Sequence, residues 1–341
     1  MHEKGKPVWL MILLLMLVGC ERNKLCYDHP HGNLSVLMDW SLLPPEMKKP
    51  EGVRISFYDR DTGEEHTYYR ETGGGKVSVR DGAYNLIVYN SDTEMMEFKD
   101  MDKFETAGAY MLDRKRTAGH NFPAGSKGNG VYYLPEGIAN EHTRNETFVT
   151  QPDELFAAYS GDVELELEEI QKQDTIYVTP ENKVMYIKFK AHIEGLKYAR
   201  QCRATLSGVA RSVKLSAATA DSGQPATMFF DMDKQDSTTC VKTMRAFGMA
   251  QSAGQTPASQ RTQHILALEF TLINNELKNF EFDVESQIDY NAIGPGKELP
   301  IEVGGIKLPE VKPAGGGGGF DAGMADWGDV VEVPIEGNIT P

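Results

Sequence analysis

The sequence predicts a mainly β fold made of two consecutive antiparallel β-sandwiches. Apolar and polar residues alternate with a period of two along many short segments, which is the pattern of strands buried on one face. Turn signals rich in Gly, Asp and Asn separate these segments at intervals of about ten residues. No stretch carries the long 3.6-residue period of an amphipathic helix. At about 100–200 residues per domain, 341 residues suffice for two sandwiches.

The first 19 residues are interpreted as a signal peptide. The apolar run 8–18 is too short for a membrane-spanning helix, which needs about 20 apolar residues. Lys4 and Lys6 precede this run and small residues follow it, which is the layout of a secretory signal that is removed from the mature protein.

The signal peptide ends in the letters LVGC, which resemble the lipobox of bacterial lipoproteins. This motif implies cleavage between Gly19 and Cys20 and attachment of a diacylglyceryl group to the Cys20 thiol. Residues 20–32 would then form a lipidated polar tether. An ordinary signal peptide with a chance cysteine is the alternative.

Residues 33–150 are predicted to form the first sandwich. Turns are expected at 61–63 and at Asp81-Gly82, and the Gly- and Asn-rich segment 103–147 is expected to be a long excursion. Four residues of the opening segment NLSVLMDW fall on one face: Leu34, Val36, Met38 and Trp40.

Residues 151–312 are predicted to form the second sandwich. Segments such as KVMYIKFKAHIEG alternate strictly between apolar and polar residues. Residues 196–208 break the alternation, and we expect a helical turn or a crossover there. Residues 313–341 form a tail with five consecutive glycines at 315–319, a composition typical of a flexible joint.

The charge of the chain excludes two classes of partner. The net charge is −15 at pH 7. Nucleic acids and anionic lipid surfaces both require a cationic footprint, so neither is expected as a partner. Attachment to a membrane would therefore depend on the acyl chains at Cys20, because each buried methylene contributes about 0.8 kcal/mol.

Three cysteines remain after Cys20, and their number does not indicate a disulfide framework. Cys26, Cys202 and Cys240 are odd in number and widely spaced. A disulfide between Cys202 and Cys240 fits an exported protein, and two free buried thiols fit equally well. No Cys or His spacing typical of zinc occurs, and no cofactor is indicated.

No arrangement of catalytic residues stands out, so an enzyme is not expected. Glu164, Glu166 and Glu168 alternate with apolar residues and are assigned to the solvent face of one strand. His29 and His31 lie in the tether and are interpreted as polar linker residues and not as metal ligands.

Exposed aromatic residues keep a glycan ligand open as an alternative. Tyr68, Tyr69, Tyr132 and Tyr133 could stack on sugar rings, although such residues more often form cross-strand pairs.

Several parts of the chain carry a family resemblance: the lipobox cysteine, the segments CYDHPHGNLSVLMDW, VRISFYDRDTG, GGGKVSVRDGAYNLIVYNSDTE and CRATLSGVARSVKLS, and the Gly-rich tail. Together they resemble the fimbrillin-related lipoproteins of Gram-negative gut and oral anaerobes. Within that family the chain is similar to a subgroup known only as a domain of unknown function, near the minor anchor subunits of fimbriae. The resemblance implies two tandem transthyretin-like Greek-key β-sandwich domains and a lipid anchor in the outer membrane.

The resemblance also implies a function. Pilins of this family polymerise by donating a strand into a groove of a neighbour. This chain shows no clear long prosegment between Cys20 and its first strand, which suits a lipid-held fimbrial anchor or accessory subunit. Such a subunit would pair with pilin-type partners or other envelope proteins through its sheet edges. A surface glycan-binding lipoprotein remains the alternative.

Two short segments resemble the O-glycosylation signal of periplasmic proteins in some gut anaerobes. They are DTI at 174–176 and DST at 236–238, which would place sugar on Thr175 and Ser237.

Overall fold

The computed structural model describes residues 32–113, 115–117, 131–133, 146–166, 175–217, 220, 224–251 and 262–314. Nearly all regular structure in these ranges is β-strand, so the predicted mainly β class is confirmed. The helical elements of the described residues are two short 3-10 turns, Leu196–Tyr198 and Glu285–Gln287. None of these described elements is a helix long and apolar enough to cross a membrane.

The strands are numbered in chain order. The first thirteen are β1 (Gly32–Met38), β2 (Gly52–Asp59), β3 (Glu65–Glu71), β4 (Gly74–Val79), β5 (Gly82–Asn90), β6 (Met96–Lys99), β7 (Gly108–Met111), β8 (Lys115–Thr117), β9 (Val131–Tyr133), β10 (Thr147–Val149), β11 (Phe156–Leu165), β12 (Thr175–Val178) and β13 (Glu181–Asn182). The remaining nine are β14 (Met185–Glu194), β15 (Ala199–Ala210), β16 (Ser212–Lys214), β17 (Pro225–Asp231), β18 (Asp233–Lys234), β19 (Thr239–Ala246), β20 (Ile265–Leu272), β21 (Leu277–Asp283) and β22 (Glu298–Lys307).

The largest sheet, sheet A, has eight strands in the order β12-β1-β4-β3-β2-β5-β11-β13. Strands β3 and β4 pair at one position, Glu71 with Gly74, where the sheet folds over on itself. The two halves of the folded sheet enclose one apolar core, which includes Leu34, Val36, Val53, Ile55, Phe57, Val77, Tyr84, Leu86, Val88, Phe156, Leu165 and Val178. The single sheet therefore serves as both layers of a sandwich.

Two further sheets enclose a second core. Sheet C has the order β10-β17-β15-β20-β21, and sheet E has the order β18-β19-β14-β22. Strand β14 follows the predicted alternation: Met185, Ile187, Phe189, Ala191 and Ile193 are buried, and the residues between them are exposed or half-buried. The two inner faces bury their apolar side chains against each other, as in a sandwich.

The predicted boundary at residue 150 does not separate the sheets. Strands β11 and β12 follow it in the chain, yet β11 pairs with β5 and β12 pairs with β1 in sheet A. Strands β7 and β10 precede it, yet they pair with β16 and β17. The predicted boundary follows the Gly- and Asn-rich segment 103–147, and consecutive strands usually lie side by side, so these long-range pairings are not visible in the sequence. The two-domain division stays a prediction.

One continuous core joins the two parts of the molecule. Tyr58, Ile87, Tyr89 and Ala157 of sheet A belong to the same buried cluster as the inner faces of sheets C and E. Because protein interiors pack densely, a shared core of this kind resists motion of one part against the other.

A polar network around Glu154 reinforces this junction. Its Oε2 accepts a hydrogen bond from the Tyr186 hydroxyl at 2.9 Å, and its Oε1 accepts one from Arg245 at 3.4 Å. Burial, together with the hydrogen bond to Glu154, raises the pKa of Tyr186 to about 12. Tyr186 therefore remains a neutral donor at physiological pH, and the network stays intact.

Residues 196–208 begin with a short helical turn, as predicted, but most of this segment is a strand. A single 3-10 turn at Leu196–Tyr198 leads directly into β15, which lies in the middle of sheet C. Most residues of β15 are buried on both faces, so the apolar–polar alternation is lost. A strand covered on both faces cannot be recognised by a period of two.

Strand β20 carries a buried acid on the outward face of sheet C. Glu269 is 1% exposed, and neither of its carboxylate oxygens has a hydrogen-bond partner among the described residues. Burial raises the pKa of Glu269 above its usual value, and Arg203, its cross-strand neighbour, opposes this shift. The folded state therefore favours the protonated carboxyl.

The variant Glu269→Gln is expected to stabilise the protein at pH 7 but not at pH 4. The pKa of Glu269 is higher in the folded chain than in the unfolded chain. Ionisation of Glu269 therefore lowers the free energy of unfolding as pH rises through the folded pKa. This loss of stability is absent at low pH. Urea unfolding at both pH values measures the difference. Glu105→Gln, at an exposed position, is the control and should change stability by less than about 0.5 kcal/mol at either pH. Equal stability of wild type and Glu269→Gln at pH 7 would contradict this account.

Candidate functional site

The candidate site is an open groove between the two ends of sheet A. On one side lies β11, which β13 covers at Phe156 and Ala157 only. On the other side lies β12, which pairs with β1 through one of its edges. No strand in the described part of the chain pairs with β11 beyond Ala157 on this side, or with the second edge of β12. Sheet A therefore curls round its core without closing.

The groove is a cavity of about 470 Å³ with mixed walls, in which Ser160, Asp162, Glu164 and Thr179 accompany the apolar residues. Buried Leu34 and Leu86 lie at its base, where they also belong to the core of sheet A. Tyr159 and Tyr177 line it as well, and both of these rings are exposed, at 44% and 72%. The remaining apolar lining comes from the two facing strands and consists of Ala158, Val163, Leu165, Ile176 and Val178.

Strand directions fix what the groove can accept. Five consecutive antiparallel pairings connect β1 to β11, whereas β12 is parallel to β1. The strands β11 and β12 therefore run in opposite directions on the two sides of the groove. An extended segment placed between them would be antiparallel to one and parallel to the other, and both pairings are common in sheets.

The backbone N–H and C=O of Tyr177 lie on the open edge of β12 and face the groove. The carbonyl of Val178 accepts a hydrogen bond from the Asp39 N–H at 2.8 Å, so the polar groups of Val178 face β1. Backbone polar groups of successive strand residues point in opposite directions, so those of Tyr177 face the groove. An N–H and a C=O at this edge are available to an added strand.

A bulge shapes the opposite wall. The register between β11 and β5 shifts between Ser160 and Val163. The Arg60 guanidinium donates a hydrogen bond to Asp162 at 2.9 Å, which holds the bulged residues against the neighbouring turn. Bulges bend a strand and often lie beside functional sites. Here the bulge lies on a strand that borders the groove.

The other sheet edges are short, polar or blocked. On β22, the side-chain amide of Gln287 donates to the Glu302 carbonyl at 3.0 Å and accepts from the Glu302 N–H at 2.8 Å. Pro300 on the same strand has no N–H. The edge strands β13 and β18 have two residues each. Every second residue of β21 is exposed along its length. The groove of sheet A differs from these single edges because two strands border one opening, with Leu34 and Leu86 beneath it.

Of the candidate site residues singled out from the sequence, Glu164 lines the groove, and the others lie outside its lining or outside the described ranges. Gly19, Cys20, Cys26 and the Gly-rich tail lie outside the described residues, as do His29, His31 and Glu168. Glu164 is exposed, as predicted. Ser237 is exposed in the loop between β18 and β19, and Thr175 is half-buried at the start of β12. Glycosylation at these two positions stays a prediction.

The predicted aromatic platform is not assembled in the described residues. Tyr68 is half-buried, and its ring packs edge-on against Phe57 in the core. Tyr69 is exposed and lies under the guanidinium of Arg54, on the opposite face of β3. Tyr132 and Tyr133 lie on β9, and the structure does not describe their side chains.

Sequence reasoning missed Tyr159 and Tyr177. A groove is defined by a missing neighbour strand, which no local pattern reports. One local signal was present: Gly161 interrupts an otherwise regular strand, and an isolated glycine in a strand often marks a bulge.

Comparisons with known proteins give a family and a fold. The family model described as a domain of unknown function, DUF5119, matches residues 19–231. A Bacteroides ovatus protein named as a candidate fimbrium anchoring subunit, Fim4B, is 27% identical over 96% of this chain and 97% of its own length. The crystal structure of a candidate adhesin from Bacteroides ovatus is similar, with a TM-score of 0.58 and 21% identity over 86% of this chain and 99% of that chain. The fimbrial anchor protein Mfa2 of Porphyromonas gingivalis has a TM-score of 0.44 and 12% identity, covering 80% of this chain and 90% of its own.

Truncation of the groove floor is expected to destabilise the fold. Leu86→Ala removes a side chain that is 2% exposed and should lower the free energy of unfolding by about 2–4 kcal/mol, because a cavity remains. Leu42→Ala, at a position that is 66% exposed, is the matched control and should cost less than about 0.5 kcal/mol. Chemical denaturation measures both. Similar costs for the two variants would show that Leu86 does not belong to a packed core.

Proposed function

The chain belongs to the DUF5119 family, and from this premise we propose that it is a non-catalytic cell-envelope lipoprotein that acts as a fimbrial anchor or accessory subunit. The observation that carries this proposal is the open groove of sheet A, with free strand edges above an apolar floor. The relative named as a candidate fimbrium anchoring subunit supports it, because the similarity extends over nearly the whole of both chains.

In this mechanism an extended segment of a pilin-type partner enters the groove as an additional strand. Its main chain pairs with the free edges of β11 and β12, including the N–H and C=O of Tyr177. Alternate side chains of the segment point toward Leu34 and Leu86 and replace water there. Main-chain pairing supplies affinity, and the apolar pocket selects segments with alternating apolar residues.

Attachment to the membrane is assigned to Cys20. An acylated cysteine at the start of the mature chain would hold the subunit at the outer membrane, and two or more acyl chains make such attachment stable. The acidic chain, with a net charge of −15, gives no electrostatic attraction to anionic lipids that could replace the anchor. A fixed subunit with an open groove is suited to the base of a fibre.

Glycan binding is the second candidate function, and the exposed rings of Tyr159 and Tyr177 favour it. Two aromatic rings at the rim of one groove could stack on sugar rings. If the groove binds a glycan, affinity depends on the tyrosine side chains. If the groove accepts a strand, affinity depends on the backbone N–H and C=O at its edge. Substitutions at position 177 therefore distinguish the two functions.

Tyr177→Pro is expected to reduce recovery of a pilin-type partner by about tenfold, whereas Tyr177→Ala should leave it within about twofold. Proline removes the N–H that faces the groove and keeps the pairing of Val178 with β1, because its own N–H does not face β1. Loss of one main-chain hydrogen bond, about 0.5–1.5 kcal/mol, corresponds to a change of up to about tenfold. The measurement is quantitative mass spectrometry of affinity-purified protein from cross-linked envelopes.

Equal recovery with Tyr177→Pro and wild type would exclude strand addition at β12. Loss of polysaccharide-dependent retardation in affinity electrophoresis with Tyr177→Ala would favour glycan binding instead. Thermal unfolding of both variants is the control for folding.

Cys20→Ala is expected to release the protein from the membrane fraction. The variant lacks the thiol that would receive the lipid, so metabolic labelling with an alkyne fatty acid should give no signal in the variant and a strong one in the wild type. Cys26→Ala is the matched control and should be labelled like the wild type. Equal labelling of wild type and Cys20→Ala would disprove acylation at this residue.

A further inference from the structure

We propose that Cys202 and Cys240 are joined by a disulfide bond in the exported protein, tying sheet C to sheet E. Cys202 lies on β15 in sheet C, and Cys240 lies on β19 in sheet E. Both side chains are fully buried in the same apolar core, and both carry free thiols in this structure. The pair is thus placed across the interface between two facing sheets.

The main chain brings these two residues together at one corner of the sandwich. The N–H of Met232 donates to the carbonyl of Cys202 at 2.9 Å. Lys234, two residues later, pairs with Cys240 in the β18–β19 ladder. The chain therefore passes from the position beside Cys202 to the position beside Cys240 within two residues, which span at most about 7 Å.

This corner suits a disulfide better than the middle of the sandwich. Facing sheets are usually about 10 Å apart, whereas the Cα atoms of a disulfide lie about 4.4–6.8 Å apart. A crossing of two residues at this corner limits how far apart the two strands can lie next to the cysteines.

The side chains already interact. A side-chain hydrogen bond joins the two thiols, and together with burial it raises the pKa of Cys202. The two thiols therefore lie close enough to interact, and a disulfide requires in addition that their Cα atoms lie about 4.4–6.8 Å apart. In the reduced folded protein Cys202 remains a protonated, shielded thiol, which reacts slowly with alkylating reagents.

Oxidation requires an external disulfide and takes place before the core closes. The thiolate of one cysteine attacks a sulfur atom of the oxidant, which is a small-molecule disulfide or the disulfide of an exported thiol oxidoreductase, and releases one thiolate. The second cysteine thiolate then attacks the mixed disulfide and releases the other half of the oxidant. The two cysteines lose two electrons, the oxidant becomes two thiols, and these take up the two protons.

The test is thiol mapping of the full chain isolated from cell envelopes. The protein is denatured without reductant in the presence of N-ethylmaleimide, digested, and analysed by mass spectrometry. The expected result is a linked pair of peptides containing Cys202 and Cys240, with the reagent bound to Cys26. The variant Cys26→Ser should keep the link. Alkylation of both Cys202 and Cys240, or a link from either of them to Cys26, would overturn the proposal.

A stability measurement gives an independent readout. The full chain is refolded with oxidised glutathione, and its urea unfolding midpoint is compared with and without reductant. Reductant should lower the midpoint of the wild type and leave that of the double variant Cys202→Ala, Cys240→Ala unchanged, because a cross-link restricts the unfolded chain. Equal midpoints for the oxidised and the reduced wild type would contradict the proposal. Neither experiment depends on a fimbrial partner, so its failure is distinguishable from failure of the proposed function.

Discussion

The pairing of backbone N–H and C=O groups at strand edges is the constraint on which this structure depends. Sheet A satisfies it by folding over at Glu71 and Gly74, so that one sheet supplies both layers of a sandwich. This arrangement leaves the strands β11 and β12 on the two sides of a groove. The two strands run in opposite directions and do not pair with each other in the described residues. The groove between them, with Leu34 and Leu86 at its base, is therefore a consequence of the topology of the described strands.

The rest of the molecule keeps this groove rigid and limits pairing elsewhere. A continuous core joins sheet A to sheets C and E, and the Glu154 network bridges the junction with Tyr186 and Arg245. Gln287 and Pro300 blunt the edge of β22, which is a familiar protection against unwanted edge-to-edge contacts. A rigid body with one apolar open edge is suited to specific strand addition, because little entropy is lost on ordering the acceptor.

The sequence predicts the class of fold and many of its strands, because alternation reports a strand that is exposed on one face. Strand β14 is of this kind, whereas β15, buried on both faces, gives no such signal, and only the short turn before it is predicted. The pairings of β7 with β16 and of β11 with β5 connect parts of the chain that local patterns treat separately, so the sheets extend across the predicted boundary at residue 150. From the sequence, a disulfide between Cys202 and Cys240 and two free thiols are equally open, and the groove has no local signal beyond Gly161. Cys20 lies outside the described residues, and its acylation remains a prediction from the lipobox.

Site-specific photo-cross-linking in living cells tests the central claim most directly. A benzophenone amino acid replaces Tyr159 at the rim of the groove, and the same replacement at Leu42, an exposed position away from it, is the control. The account predicts an adduct from position 159 with an envelope protein of pilin type, mapped to an extended segment with alternating apolar residues, and none from position 42. The absence of any adduct at 159, or identical adducts from both positions, would contradict it.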